Sequence, residues 1–160
     1  MTIQSRPVCF EDVAVGDEIP PLDKGPFTTA HIMRWSAAME NWHKIHYDRD
    51  FAVNHDKLPG LLVNGSLKQQ FYFEHLRKWI GDTGWVWKVT FRFRAMNLIG
   101  EKLTMWGRVT GKRECPDYGI VELDLGIVNE EGTESSPGTG TVALPYRGGD
   151  PVPYPFVPPA

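Results

Sequence analysis

The chain has 160 residues, 41% hydrophobic and 12% aromatic, enough for one sizeable buried core and too few to favour a second domain. Its 17 basic and 20 acidic residues leave a net charge of −3, so neither nucleic acid nor an anionic membrane is an expected partner. The two cysteines, Cys9 and Cys115, form no CxxC pair and point to free thiols in a reducing compartment, and no apolar run approaches the roughly 20 residues of a spanning helix.

The amino-terminal stretch MTIQSRPVCFEDVAVGDE holds one arginine, several acids and no continuous apolar core, unlike a secretory signal, so the expected location is cytoplasmic. In TTAHIMRWSAAMEN, Thr28 and Thr29 are candidate caps, and Ile32, Trp35, Ser36 and Met39 recur at helical spacing. A helix ending near Glu40 is predicted. A polar loop, ENWHKIHYD, then leads to LPGLLVNGSLKQQFYFEHLRKWIG, where Leu67, Phe71, Tyr72, Leu76, Trp79 and Ile80 form one broad stripe. This longest and most apolar helix is predicted to start after Asn64 and stop at Gly81.

WVWKVTFRFRA follows with a period of two: Trp85, Trp87, Val89, Phe91, Phe93 and Ala95 to one side, Lys88, Thr90, Arg92 and Arg94 to the other. Two more strands are predicted over EKLTMWGRVTGKRE and YGIVELDLGIVNEEG, the second with Val121, Leu123, Leu125 and Ile127 on one face, and a shorter one over GTGTVALPY. Short connections rich in Gly, Pro, Asn and Asp imply antiparallel pairing, because parallel neighbours need long crossovers. One apolar helix against such a sheet makes an α+β fold. The end, YRGGDPVPYPFVPPA, is too rich in proline for sheet or helix. Its Tyr154, Phe156 and Val157 suit a segment lying along a surface, that of a subunit partner included, and a loosely ordered terminus is the alternative. The expected division is a domain over residues 1–147 and a tail over 148–160.

Of the five histidines, His75 falls on the apolar stripe as a core residue, and His31 and His55 read as surface positions. His43 and His46 differ, because a loop after a capped helix is where a rigid scaffold displays reactive groups. With Asp48 they offer two imidazoles and a carboxylate to a metal, but no distant fourth ligand stands out, and no metal or cofactor is expected. In LPGLLVNGSL, Pro59 and Gly60 break the chain and Leu61 to Val63 bring it inward to Asn64 and Gly65 at the helix start. The first amides of a helix lack internal partners and carry the positive end of its dipole, so Gly65 is a donor for a developing negative oxygen. Without a side chain it lets a carbonyl come close; the plainer reading of Asn64-Gly65 is a cap and turn.

Together, ENWHKIHYDRDFA, LPGLLVNGSL, the long apolar helix and VTFRFRAMNLIGEKLTMWGRV resemble, in order and over about residues 10–145, the MaoC-like (R)-specific enoyl-thioester hydratases and dehydratases. Most of that family reads Gly-Asp-x-Asn-Pro-x-His in the loop, with aspartate and histidine catalytic, and opens the helix with His-Gly. On this pattern Glu40 takes the glycine place, Asn41 the aspartate, His43 the asparagine and His46 the catalytic histidine. NWHKIHYD is similar to a subgroup with Asn-x-His-x-Ile-His-Tyr-Asp, found in fungal mitochondrial 3-hydroxyacyl-thioester dehydratases and mesaconyl-CoA hydratases. That subgroup has Pro-Gly-Leu-Val-Val-His-Gly before the helix, so Asn64 stands where it has histidine.

The resemblance implies a single hotdog fold, an antiparallel sheet wrapped around one central helix. It also implies a dimer or higher homo-oligomer with the acyl site at the subunit contact, a heteromer being the other arrangement. The expected reaction is (R)-type hydration of a 2-enoyl thioester of coenzyme A or an acyl carrier, or the reverse dehydration. His46 is the expected general base and acid and Gly65 the oxyanion donor, with Asn41 and His43 orienting the water or the ring and Gly60, Leu61 and Asn64 touching substrate. Lys88, Arg92 and Arg94 are candidates for meeting phosphates of coenzyme A or carrier-bound pantetheine, or are simply solvated. A non-catalytic hotdog subunit and a thioesterase using Glu74 are the alternatives.

Overall fold

The computed structural model describes residues 7–159. Its main elements are β1 (Leu22–Lys24), α1 (Thr29–Ala38), α2 (Gly65–Ile80), β2 (Trp85–Phe91), β3 (Leu103–Glu114), β4 (Gly119–Asn129) and β5 (Glu134–Leu144). The five strands form one sheet in the order β1-β3-β4-β5-β2, antiparallel throughout, with β1 and β2 as its edges. The sheet curls around α2.

Helix α2 follows its apolar stripe. Phe71, Tyr72, Leu76 and Ile80 are buried against Val121, Leu123, Leu125 and Ile127 of β4, and each such burial stabilises by about 2 kcal/mol. Gly81 ends the helix with φ 70° while its amide still reaches the Arg77 carbonyl at 3.0 Å. Leu67 and Trp79 are only half-buried, and the same face instead turns His75 and Lys68 inward. Nε2 of His75 donates to the Pro20 carbonyl at 2.8 Å, the bonded core role expected of it, while His31 and His55 are exposed. No helix among the described residues is long and apolar enough to cross a membrane.

Three expectations about the strands are corrected. A register shift between Val86 and Lys88 breaks the alternation of β2. Val86, Val89 and Phe91 face the α2 core, whereas Trp85 and Trp87 belong to the opposite sheet face, with Tyr118, Ile120 and Ala143. The strand also stops at Phe91, so Phe93 lies beyond it and is 56% exposed. Strand β5 begins at Glu134, earlier than the sequence suggested, because the pairing with β4 carries on past Pro137 to Ser136 and, after a register shift, to Glu134. Strand β1 was not anticipated; three residues are too short for a pattern.

The tail lies on its own sheet. The Val152 amide donates to the Thr83 carbonyl at 2.9 Å, and the Tyr118 hydroxyl donates to the Val157 carbonyl at 2.7 Å. Between these ties the Phe156 ring sits 5.6 Å from Tyr118, 5.8 Å from Trp87 and 6.0 Å from Trp85. The two tryptophans displaced by the bulge are what the tail covers.

Candidate active site

Helix α1 ends at Ala38, close to Glu40 as expected, and Glu40 takes φ 51° and turns the chain back. The amide of Asn41 then reaches the Ser36 carbonyl at 2.8 Å. The loop is tightened by the Tyr47 hydroxyl, which donates to the Trp42 carbonyl at 2.7 Å, and by a 3-10 turn over Lys44–His46. That turn carries His46 inward until it is 7% exposed, while His43 stays at the surface.

The second segment is stitched to the first. The amide of Leu62 donates to the Ile45 carbonyl at 3.1 Å, and the Leu62 carbonyl accepts from Nδ1 of His46 at 3.0 Å. A carbonyl only accepts, so the imidazole proton sits on Nδ1 and the lone pair on Nε2 is left free. Burial lowers the His46 pKa from its ordinary value, the Leu62 bond opposes this, and nearby His43 adds to the lowering. At neutral pH the ring is an uncharged base.

Asn64 holds the N-cap position of α2, its carbonyl accepting from the Leu67 and Lys68 amides at 3.1 Å, but its side chain does not cap the helix. Its side chain makes no bond to the helix amides; Nδ2 donates instead to Oγ of Ser36 at 3.1 Å, and Oδ1 is buried without a partner. The cap reading of Asn64 therefore holds for its position and main chain and not for its side chain. Among the described residues the amides of Gly65 and Ser66 have no hydrogen-bond acceptor, so the positive end of a 16-residue helix is open. Ser36 ties the pieces together, since its carbonyl holds Asn41 and its hydroxyl holds Asn64.

The remaining predicted residues take supporting places. Oδ1 of Asn41 accepts from the His43 amide at 3.4 Å, and His43 Nδ1 accepts from the Ile45 amide at 3.4 Å. The two imidazole rings are 6.2 Å apart, and no hydrogen bond links Asn41 or His43 to the His46 ring, whose tautomer is set by Leu62. Gly60 and Leu61 are buried behind the loop. Asp48 accepts from the Phe51 amide at 3.0 Å, and no three His, Cys, Asp or Glu side chains among the described residues converge as a metal site. Ser36 and the Leu62 carbonyl escaped sequence reasoning; a main-chain acceptor leaves no trace in residue identity.

A curled antiparallel sheet around one long helix, with two loops meeting at the helix start, is a hotdog fold. Solved structures share it. The (R)-hydratase from A. caviae involved in PHA biosynthesis is 24% identical, with 84% of this chain and 99% of that one covered and a TM-score of 0.75. The MaoC-like dehydratase from Rhodospirillum rubrum is 19% identical, with 88% and 98% covered and a TM-score of 0.76. A chain of the ChsH1-ChsH2 complex from Mycobacterium tuberculosis is 19% identical, with 82% and 98% covered and a TM-score of 0.72. No curated protein sequence is similar enough to match. The family model of hydroxyacyl-thioester dehydratase type 2 matches residues 18–101, and the chain belongs to that family.

Proposed function

We propose that residues 1–147 form an (R)-type 2-enoyl-thioester hydratase, equally a 3-hydroxyacyl-thioester dehydratase, with residues 148–160 as an accessory tail. The observation that carries this is a neutral, buried imidazole with a free Nε2, held by Leu62 close in sequence to the open helix start at Gly65. In hydration, Nε2 of His46 takes a proton from water as the water oxygen bonds to carbon 3. The electron pair of the double bond moves to the thioester oxygen, where the Gly65 amide receives it, and carbon 2 then takes a proton from the imidazolium. Dehydration is the reverse. A buried oxyanion donor contributes on the order of 3 kcal/mol and a general base about 10²- to 10⁴-fold in rate.

Asn41 and His43 shape the loop that presents His46, and Asn64, tied to Ser36, stands at the helix start on the substrate side. Gly60 and Leu61 back the acyl group. The exposed Lys88, Arg92 and Arg94 meet phosphates of coenzyme A or of carrier-bound pantetheine. A second copy of the chain pairs along the open edge of β2 and covers exposed Trp42, Phe93 and Met96 beside the site. A related subunit in that place is the heteromeric alternative; one structural neighbour is itself a chain of a complex, ChsH1-ChsH2. The free thiols of Cys9 and Cys115 suit a cytoplasmic setting.

Asn41 and Asn64, amides where most of the MaoC-like sequences have acid-base groups, favour a second reading as a non-catalytic subunit. A thioesterase using Glu74 is disfavoured, because Lys24 at 2.6 Å and Lys78 at 2.9 Å occupy that carboxylate. The test is to incubate the protein with crotonyl-CoA and longer or branched enoyl-CoAs, following enoyl absorbance and free thiol in parallel. Loss of absorbance without thiol supports the hydratase; thiol release means a thioesterase, and neither signal means the accessory subunit.

A further inference from the structure

Lys68 is the only Lys, Arg, Asp or Glu buried among the described residues, 3% exposed on the inward face of α2. Its ammonium donates to Oδ1 of Asn97 at 2.9 Å and to the Ala95 carbonyl at 3.2 Å, and lies 5.1 Å from the centre of the Phe93 ring. Burial pushes its pKa down to about 8, against the pull of Glu101. A methionine would fill the same space without burying a charge, so the amine is better explained by what it holds than by stability.

What it holds is Asn97, gripped from both sides. Nδ2 of Asn97 donates to Oε2 of Glu101 at 2.9 Å, and the Leu98 amide donates to Oε1 of the same carboxylate at 2.7 Å. Residues 97–99 run antiparallel to residues 61–63: the Val63 amide donates to the Asn97 carbonyl at 2.8 Å and the Ile99 amide to the Leu61 carbonyl at 3.1 Å. Peptide groups alternate direction along an extended strand. Because Leu61 and Val63 bond toward residues 97–99, the amide and carbonyl of Leu62 point the other way, to Ile45 and His46. Movement of Asn97 thus turns the carbonyl that sets the imidazole.

We propose that Lys68 is a positioning residue for His46, acting through Asn97 and the 61–63 segment to fix the Leu62 carbonyl and with it the Nδ1–H tautomer. Only its effect on rate rests on the hydratase reading. The test uses full-length protein carrying ¹⁵N-histidine, with His46→Ala to assign the resonance, and Lys68→Met, Lys68→Arg and Asn97→Ala variants checked for folding by circular dichroism. In the native protein the His46 signal is that of a single Nδ1–H form. Lys68→Met gives a mixture of both tautomers and lowers kcat on crotonyl-CoA about tenfold to a hundredfold with KM little changed. Lys68→Arg, which still donates to both acceptors, recovers the single form. A folded Lys68→Met protein that keeps His46 wholly as Nδ1–H overturns the proposal. If that variant does not fold, Asn97→Ala decides by the same spectrum, a mixture supporting the proposal and a single Nδ1–H form overturning it. A tautomer change in a protein that hydrates nothing upholds the positioning role and removes the hydratase reading instead.

Discussion

Nδ1 of His46 stands 3.0 Å from the carbonyl oxygen of Leu62, and this single contact joins the candidate base to the segment that delivers the candidate oxyanion donor. The chain reaches Gly65 only a few residues after Leu62, so whatever holds Leu62 sets both groups at once.

Gly65→Ala separates the donor from the fold. A Cβ built on Gly65 would meet Cζ of Phe93 at 2.9 Å and Cε2 at 3.0 Å. Phe93 is 56% exposed in the single chain and is covered only by the proposed partner copy, so the expected loss of unfolding free energy by urea titration is about 1 to 2 kcal/mol. Hydration of crotonyl-CoA should fall by about tenfold or more, because the added methyl crowds the oxygen at its donor. Equal losses of stability and rate in a misfolded protein would deny Gly65 a separate chemical role.

Acid should weaken the fold through His75. Burial lowers its pKa, with the Pro20 hydrogen bond opposing, and its buried Nδ1 has no partner among the described residues to receive a second N–H. The unfolded chain therefore binds the proton first. The stabilisation is complete above the unfolded value near 6.5 and is lost as pH falls through it towards the lower folded value. His46, shifted the same way, adds to the loss. Urea titrations at pH 7.5 and 5.5 should show a stability loss in acid that is smaller in His75→Gln; an undiminished loss would contradict this account.

The tail contributes through one ring. Phe156→Ala removes contacts with Trp85, Trp87 and Tyr118 and should cost about 2 kcal/mol, less than a fully buried phenylalanine. Tryptophan emission should shift to the red as Trp85 and Trp87 meet water. Unchanged emission and stability would mean that the tail does not cover this face in solution.

Helix α2 was legible because its apolar residues recur at helical spacing and Gly81 marks its end, and β4 because Val121, Leu123, Leu125 and Ile127 recur at every second position, with Glu122 and Asp124 between them. Trp85 and Trp87 were misplaced, since the run Trp85-Val86-Trp87 is apolar on both faces and a bulge there leaves the pattern intact. Of the candidate site, the His46 imidazole and the glycine at the helix start were legible as residue types, whereas the main-chain bonds that arrange them were not. That the Asn64 side chain bonds to Ser36 and leaves the first helix amides open depends on how α1 packs, which no local pattern carries. Lys68 did leave a signal, a cation at stripe spacing just before Phe71 and Tyr72, where a solvated face would be the ordinary reading.

The most direct measurement is the rate of enoyl absorbance loss from crotonyl-CoA with native protein and with His46→Ala, both confirmed folded. The account predicts hydration without thiol release by the native chain and a fall of about 10²- to 10⁴-fold in the variant. A folded His46→Ala protein that hydrates crotonyl-CoA at the native rate would contradict it.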